Sequence, residues 1–171
     1  MKIVALDLAN TSGWCYGDPD AGGKPLIGHW DLRSEHKDLI PGNLAYQLRQ
    51  LFKKHGPPDF MAIEKTMNPL AQRSAQVIQA QERSHGAALG VAGMYRIPKV
   101  LEVAPSTIRT HFIGVPNMGS TDKTKAAVFK QAKLLGYAVT TLDEADSVAL
   151  WDYIVHVVLR KPLKEVRMFR P

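Results

Sequence analysis

Four acidic side chains stand where a carboxylate is costly. Asp7 closes the apolar run Ile3-Val4-Ala5-Leu6, and Glu64 closes Met61-Ala62-Ile63. Asp143 and Asp146 open a segment that continues Val148-Ala149-Leu150-Trp151. A buried carboxylate is unfavourable unless it is paired, hydrogen-bonded or bound to a metal. Asp143 and Asp146 are three positions apart, so on a helix both project from one face near its N-terminus. Two strand-end acids and one helical pair can converge into four hard oxygen ligands, a set that suits Mg²⁺ or Mn²⁺ rather than zinc. Each acid also has a simpler reading. Asp7, ahead of Asn10-Thr11-Ser12-Gly13, could hold an Asx turn, and Glu64-Lys65 could be a surface pair. Asp143 could be an N-cap, with Asp146 favoured in the first turn by the helix dipole. Taken separately, these readings do not predict that all four acids flank elements ending on one edge of a sheet.

The elements that must position these acids follow from the hydrophobic pattern. Residues 2–8 read as a buried strand, 11–16 and 26–32 as two further strands, with Gly22-Gly23 marking a hairpin. Pro41 begins a helix whose apolar stripe is Leu44, Leu48, Leu51 and Phe52, and Gly56-Pro57-Pro58 stops it. A short strand over 60–64 precedes a long helix over 71–95 that is rich in Ala and Gly. A strand over 99–104, a short helix over 105–112, a helix over 121–135 stopped by Gly136 and a final helix over 143–159 complete the chain. Three strands followed by alternating helices and strands imply a mixed α/β sheet. Trp14, Trp30 and Trp151 are expected in the core.

Composition narrows the function classes. The chain has 171 residues, a net charge of +6, 45% apolar and 22% charged residues, values of one globular domain rather than a disordered segment. No apolar stretch approaches the roughly 18–20 residues needed to cross a bilayer. Asp7 interrupts the first apolar run too early for a signal peptide, and the single cysteine, Cys15, suits a reducing compartment, so a cytoplasmic protein is expected. The basic excess gathers in Arg160, Lys161, Lys164, Arg167 and Arg170, in Arg49, Lys53 and Lys54, and in Lys123, Lys125, Lys130 and Lys133. Such clusters favour a polyanionic partner, although solvated helix faces carry similar charge. The loop Gly114-Val-Pro-Asn-Met-Gly119-Ser120 has the spacing of a phosphate loop but Ser120 in place of the lysine, which argues against a nucleotide cofactor. Its backbone amides, ahead of a helix, could still meet a nucleic-acid phosphate. The six histidines show no ligand spacing. Gly86-Ala-Ala-Leu-Gly90 places glycines inside a helix, where each costs about 1 kcal/mol unless a close helix or subunit contact compensates.

Taken in order, these segments resemble the RuvC family of Holliday-junction resolvases, within the ribonuclease H-like superfamily. The resemblance covers nearly the whole chain. It rests on residues 3–13, with Asp7 and Ser12-Gly13, on Ala62-Ile63-Glu64-Lys65, and on Ser84-His85-Gly86 with the small-residue helix. Glu102-Val103-Ala104-Pro105 through Ile108-Arg109, then Gly114 and Asp122-Lys123, continue it, and Asp143-Glu144-Ala145-Asp146-Ser147-Val148-Ala149 ends it. Three departures stand out. Met67 lies where bacterial resolvases tend to carry an aromatic that wedges into the junction, Arg109 replaces a lysine, and the loop from Gly114 to Asp122 is longer than in the typical bacterial enzyme. The divergence suggests a phage-type relative.

The resemblance implies a ribonuclease H-like fold over 1–160, with a mixed five-stranded sheet whose first three strands are antiparallel, and a basic tail over 161–171. It implies a homodimer and a metal-dependent endonuclease that resolves Holliday junctions or other branched DNA, in a bacterial or phage-infected cell. Asp7, Glu64, Asp143 and Asp146 would hold two Mg²⁺ ions, with Mn²⁺ as a substitute, and Glu144 could assist or replace Asp143. Lys123 would act with them in catalysis. DNA contacts are expected at Arg109, Lys123, Lys125, Met67 and Arg73. Two alternatives stay open: a nuclease of the same fold acting on RNA, flaps or forks, and a DNA-binding module without catalysis.

Overall fold

A strand that is apolar on both sides must be covered on both sides, and this requirement organises the chain. The computed structural model describes residues 1–66 and 75–162. Strand β1 (Ile3–Asp7) is the centre of a five-stranded sheet of order β3-β2-β1-β4-β5. β2 (Thr11–Gly17) pairs antiparallel with β1, and β3 (Leu26–Asp31) antiparallel with β2. On the other side β4 (Phe60–Glu64) and β5 (Lys99–Val103) run parallel to β1. The mixed sheet with three leading antiparallel strands is the one the sequence implies.

Alternation along the strands divides the interior into two cores. Ile3 and Ala5 of β1 with Phe60 and Ala62 of β4 face one side, where α3 (Pro105–Ile113), α4 (Thr121–Leu134) and α5 (Leu142–Tyr153) contribute Ile108, Val128, Ala132, Val148 and Leu150. Val4, Leu6, Met61 and Ile63 face the other side, against Leu44, Leu48 and Phe52 of α1 (Ile40–His55) and Ala88 and Val91 of α2 (Ala75–Met94). The leucine stripe of α1 is buried as its spacing requires. Helix α4 ends as Gly136 takes a positive φ of 76°, the left-handed turn that suits glycine.

Two expectations need correction. The final helix does not continue to residue 159: α5 ends at Tyr153 and a wider π-turn, Ile154–Val158, follows, with the Leu159 amide donating to the Ile154 carbonyl. Three β-branched residues of that turn and Ile154 itself crowd a regular helix, and the wider turn relieves the crowding. Of the tryptophans, only Trp151 is buried in the core. Trp14 and Trp30 are half-buried and stack on each other at 5.6 Å near the open β3 edge, where Gly28 leaves room for the Trp14 ring.

Candidate metal centre

The two strand-end acids meet because their strands are neighbours in phase. β1 and β4 pair Leu6 with Ile63, so Asp7 and Glu64 stand side by side one step further on. By the same alternation both point to the α5 side of the sheet, the side of Ala5 and Ala62. Parallel strands ending together give adjacent carboxylates a common edge.

Helix α5 brings the second pair to that edge. Its N-terminus is set by Thr141, whose hydroxyl accepts from the Glu144 amide at 3.2 Å, while the Glu144 carboxylate accepts from the Thr141 amide. This is a capping box, and it makes Thr141 the N-cap in place of Asp143. Gly13, opposite Asp7 in the β1–β2 ladder, lies beneath this turn. A methyl group on Gly13 would overlap the Asp143 carbonyl and stand 3.0 Å from the Glu144 amide nitrogen. The missing side chain therefore lets α5 come down onto the sheet and sets Asp143 beside Asp7.

Oxygen atoms of Asp7, Asp143 and Asp146 lie within 4.8 Å of one another. Ligands opposite each other across a Mg²⁺ ion are about 4.2 Å apart, twice a bond of 2.0–2.1 Å, so this triple fits a hard divalent cation after a small adjustment. Glu64 stands beside Asp7 rather than inside the triple, close enough to be the strongest charged influence raising the Asp7 carboxyl after burial. Burial, then Glu64 and Asp146, push the Asp7 carboxyl well above its ordinary range, and the neighbouring Lys125 only partly offsets them. Asp146, buried, is also raised, by desolvation against the opposing pull of Lys125 and Arg109. Carboxylates that resist ionising together are the setting a divalent cation relieves.

Among the expected basic residues, Lys125 reaches the acids. Its Nζ is 3.2 Å from Asp143 Oδ1 and 3.2 Å from Asp146 Oδ2. Burial would lower the Lys125 ammonium, but Asp146, Asp7 and Asp143 outweigh it and hold the group charged. Arg109 on α3 is half-buried and acts on Asp146. Lys123 is exposed in the first turn of α4, where its backbone amide donates to Ser120 Oγ at 3.3 Å. Met67, Arg73 and residues 163–171 of the expected basic tail lie outside the described residues.

Glu144 does not join the cluster. Its Oε2 accepts from the Thr140 amide at 2.5 Å and the Thr140 hydroxyl at 2.9 Å, and its Oε1 meets His29 Nδ1 at 2.8 Å. Burial opposes its ionisation, yet the His29 and Thr140 donors prevail and hold the carboxyl below its usual range. Both Glu144 oxygens are thus engaged by His29, Thr140 and Thr141, while Asp143 stands with Asp7 and Asp146. The Thr141-x-x-Glu144 spacing carried this signal in the sequence; the contact with His29, 115 positions away, carried none.

No family model matches the chain, and no curated protein does. Solved structures do. The Thermus thermophilus RuvC structure superposes with a TM-score of 0.65 at 15% identity, covering 95% of this chain and all of the other. T. thermophilus RuvC in complex with a Holliday junction substrate gives 0.64 at 14% identity, over 88% of this chain and 90% of that one. The yeast mitochondrial Holliday junction resolvase Ydc2 gives 0.51 at 14% identity, over 86% and 75%. At these identities the likeness is one of fold, and the chain folds as these RuvC-like resolvases fold.

Proposed function

We propose that this chain is a metal-dependent endonuclease that resolves four-way or otherwise branched DNA. The observation that carries the reading is the convergence of Asp7, Asp143 and Asp146 oxygens within 4.8 Å at one sheet edge. The fold shared with structures described as Holliday-junction resolvases, one of them bound to its junction, supports the substrate class. Asp7, Glu64, Asp143 and Asp146 are the residues that would hold two Mg²⁺ ions, with Mn²⁺ as a substitute. Such ions, when bound, supply activation of a water and stabilisation of the leaving 3′ oxygen.

The remaining work falls to the chain itself. Gly13 and the capping box fix the helical acids against the strand acids, so the ligand set is arranged before any ion arrives. Lys125, which bridges Asp143 and Asp146, and Arg109, which acts on Asp146, would receive a backbone phosphate and offset charge developing on it. Lys123, exposed on α4, would contact phosphates further along a DNA arm.

The same reading includes a two-fold dimer built on α2. Gly86, Gly90 and Gly93 lie on a face where an added methyl would meet nothing within 4 Å, and Leu89 and Met94 are exposed beside them. A glycine face allows close approach of a second helix, and two symmetric sites suit a four-way junction.

A panel of synthetic substrates in Mg²⁺ tests the proposal, with wild type and Asp146→Asn compared on a four-way junction, a flap, a fork, a linear duplex and an RNA–DNA hybrid. Paired nicks in the four-way junction that vanish in the variant are expected. Preferential cutting of flaps, forks or the hybrid would replace the substrate class, and equal cutting by the variant would remove the catalytic assignment.

A further inference from the structure

One row of residues crosses three strands beneath the start of α5. Asp7 on β1 is opposite Gly13 on β2, and Gly13 is opposite His29 on β3. Paired residues share a face, so Asp7 and His29 rise on either side of the bare Gly13. The first turn of α5 sits across this row. Asp143 comes to Asp7 on one side, and Glu144 comes to His29 on the other.

The Glu144 carboxylate divides its two oxygens between two tasks. Oε2 is used within the helix start, by the amides of Thr140 and Thr141 and the Thr140 hydroxyl. Those bonds fix the helix to its own preceding residues and do not locate it on the sheet. Oε1 alone reaches another element, through His29 Nδ1 at 2.8 Å. Gly13 sets how close α5 comes to the sheet, and the His29 bond sets where it stops sideways. Glu144 is buried while His29 is exposed at the open edge, so the tie joins the helix start to the outermost strand.

We propose that His29 is a positioning residue for the metal centre, holding Glu144 so that the adjacent Asp143 stays within ligand distance of Asp7. The inference rests on the metal-centre reading above and adds a residue to it. His29 touches neither the acidic triple nor, on this account, the substrate. It acts through the backbone that Glu144 and Asp143 share. Supporting contacts of this kind are worth tenfold to a hundredfold in metal affinity when they touch a ligand directly. One residue removed, an effect of about fivefold to tenfold is expected.

The test is calorimetric titration of the full chain with Mn²⁺ alone, with melting temperature recorded for every variant. His29→Val keeps a strand-favouring residue but removes the donor, and His29→Ala serves if the valine form does not fold. His29→Asn returns an amide nitrogen close to where Nδ1 stood. Wild type should bind Mn²⁺, His29→Val should bind it about fivefold to tenfold more weakly, and His29→Asn should return to within about twofold of wild type. Adding His29→Val to Glu144→Ala should weaken binding no further than Glu144→Ala alone, because the His29 bond is already lost with the carboxylate that accepts it. Rescue by asparagine separates positioning from general loosening of the edge strand. Wild-type binding in His29→Val, or an asparagine form as weak as the valine form, overturns the proposal while leaving the metal centre intact. A wild type that binds no Mn²⁺, indistinguishable from Asp143→Asn, overturns the metal-centre reading and this proposal with it.

Discussion

The carbonyl of Asp143 lies so close over Gly13 that no side chain fits between helix α5 and strand β2. The contact converts an absence of atoms into a distance between carboxylates. Gly13→Ala should lift the start of α5, destabilising the protein by about 1–3 kcal/mol as an overpacked contact does. It should also reduce junction cleavage by about 100-fold, since displacement of a reacting group by about 1 Å has that effect. Melting curves and single-turnover cleavage measured together check both parts.

Lys125 occupies the place of a counterion, bridging Asp143 and Asp146 at 3.2 Å each. Lys125→Met should cost the metal-free protein about 1–3 kcal/mol, as a charged hydrogen-bonded partner is removed from a partly buried site. With the ammonium gone, Mn²⁺ meets less competition and should bind more tightly, while cleavage falls because the phosphate loses a cation. Calorimetry and cleavage on the same preparation should move in opposite directions; unchanged values in both would show that the lysine has neither role.

The raised carboxyls of Asp7 and Asp146 fix a direction of pH dependence. A carboxyl whose folded value lies above its unfolded value of 3.8 favours the folded state fully below 3.8 and loses that contribution as pH rises through the folded value. These two groups therefore make the metal-free protein less stable on going from acid toward neutral pH, opposite to ordinary paired carboxylates. Divalent ions compete with the same protons, so the rise in melting temperature caused by Mn²⁺ should be larger at pH 8 than at pH 5.5. An equal rise at both values would contradict this linkage.

On the α2 face, Leu89 is exposed between Gly86, Gly90 and Gly93. If two copies join there, Leu89→Arg should yield a monomer by sedimentation with a melting temperature close to wild type at low concentration. A variant that remains dimeric would place the two-fold contact elsewhere.

Much of the site was legible because each acid marks the end or the start of an element. Asp7 and Glu64 follow apolar runs that had to be neighbouring buried strands, and Asp143 and Asp146 share a helical face by spacing alone. The choice between Lys123 and Lys125 was not legible. Thr124, Val128 and Ala132 are the buried stripe of α4, and the two lysines flank that stripe on opposite sides, about 100° away each. Only the position of α5 beside α4 decides which flank faces the acids. The His29–Glu144 bond depends on strand register and on helix placement together, and neither is written locally. The break of the last helix at Tyr153 was signalled by its β-branched run, a weak preference that tertiary packing can override in either direction.

The central claim is that separated acids form one working cluster, and Asp7→Asn tests it most directly. Asparagine keeps the size of the side chain and removes a charge that the metal-free fold disfavours, so the variant should melt no lower than wild type without metal. Its single-turnover cleavage of a synthetic four-way junction in Mg²⁺ should nonetheless fall by about 1000-fold, the loss of several kcal/mol of transition-state stabilisation. A folded Asp7→Asn protein that cuts the junction at the wild-type rate would contradict the account.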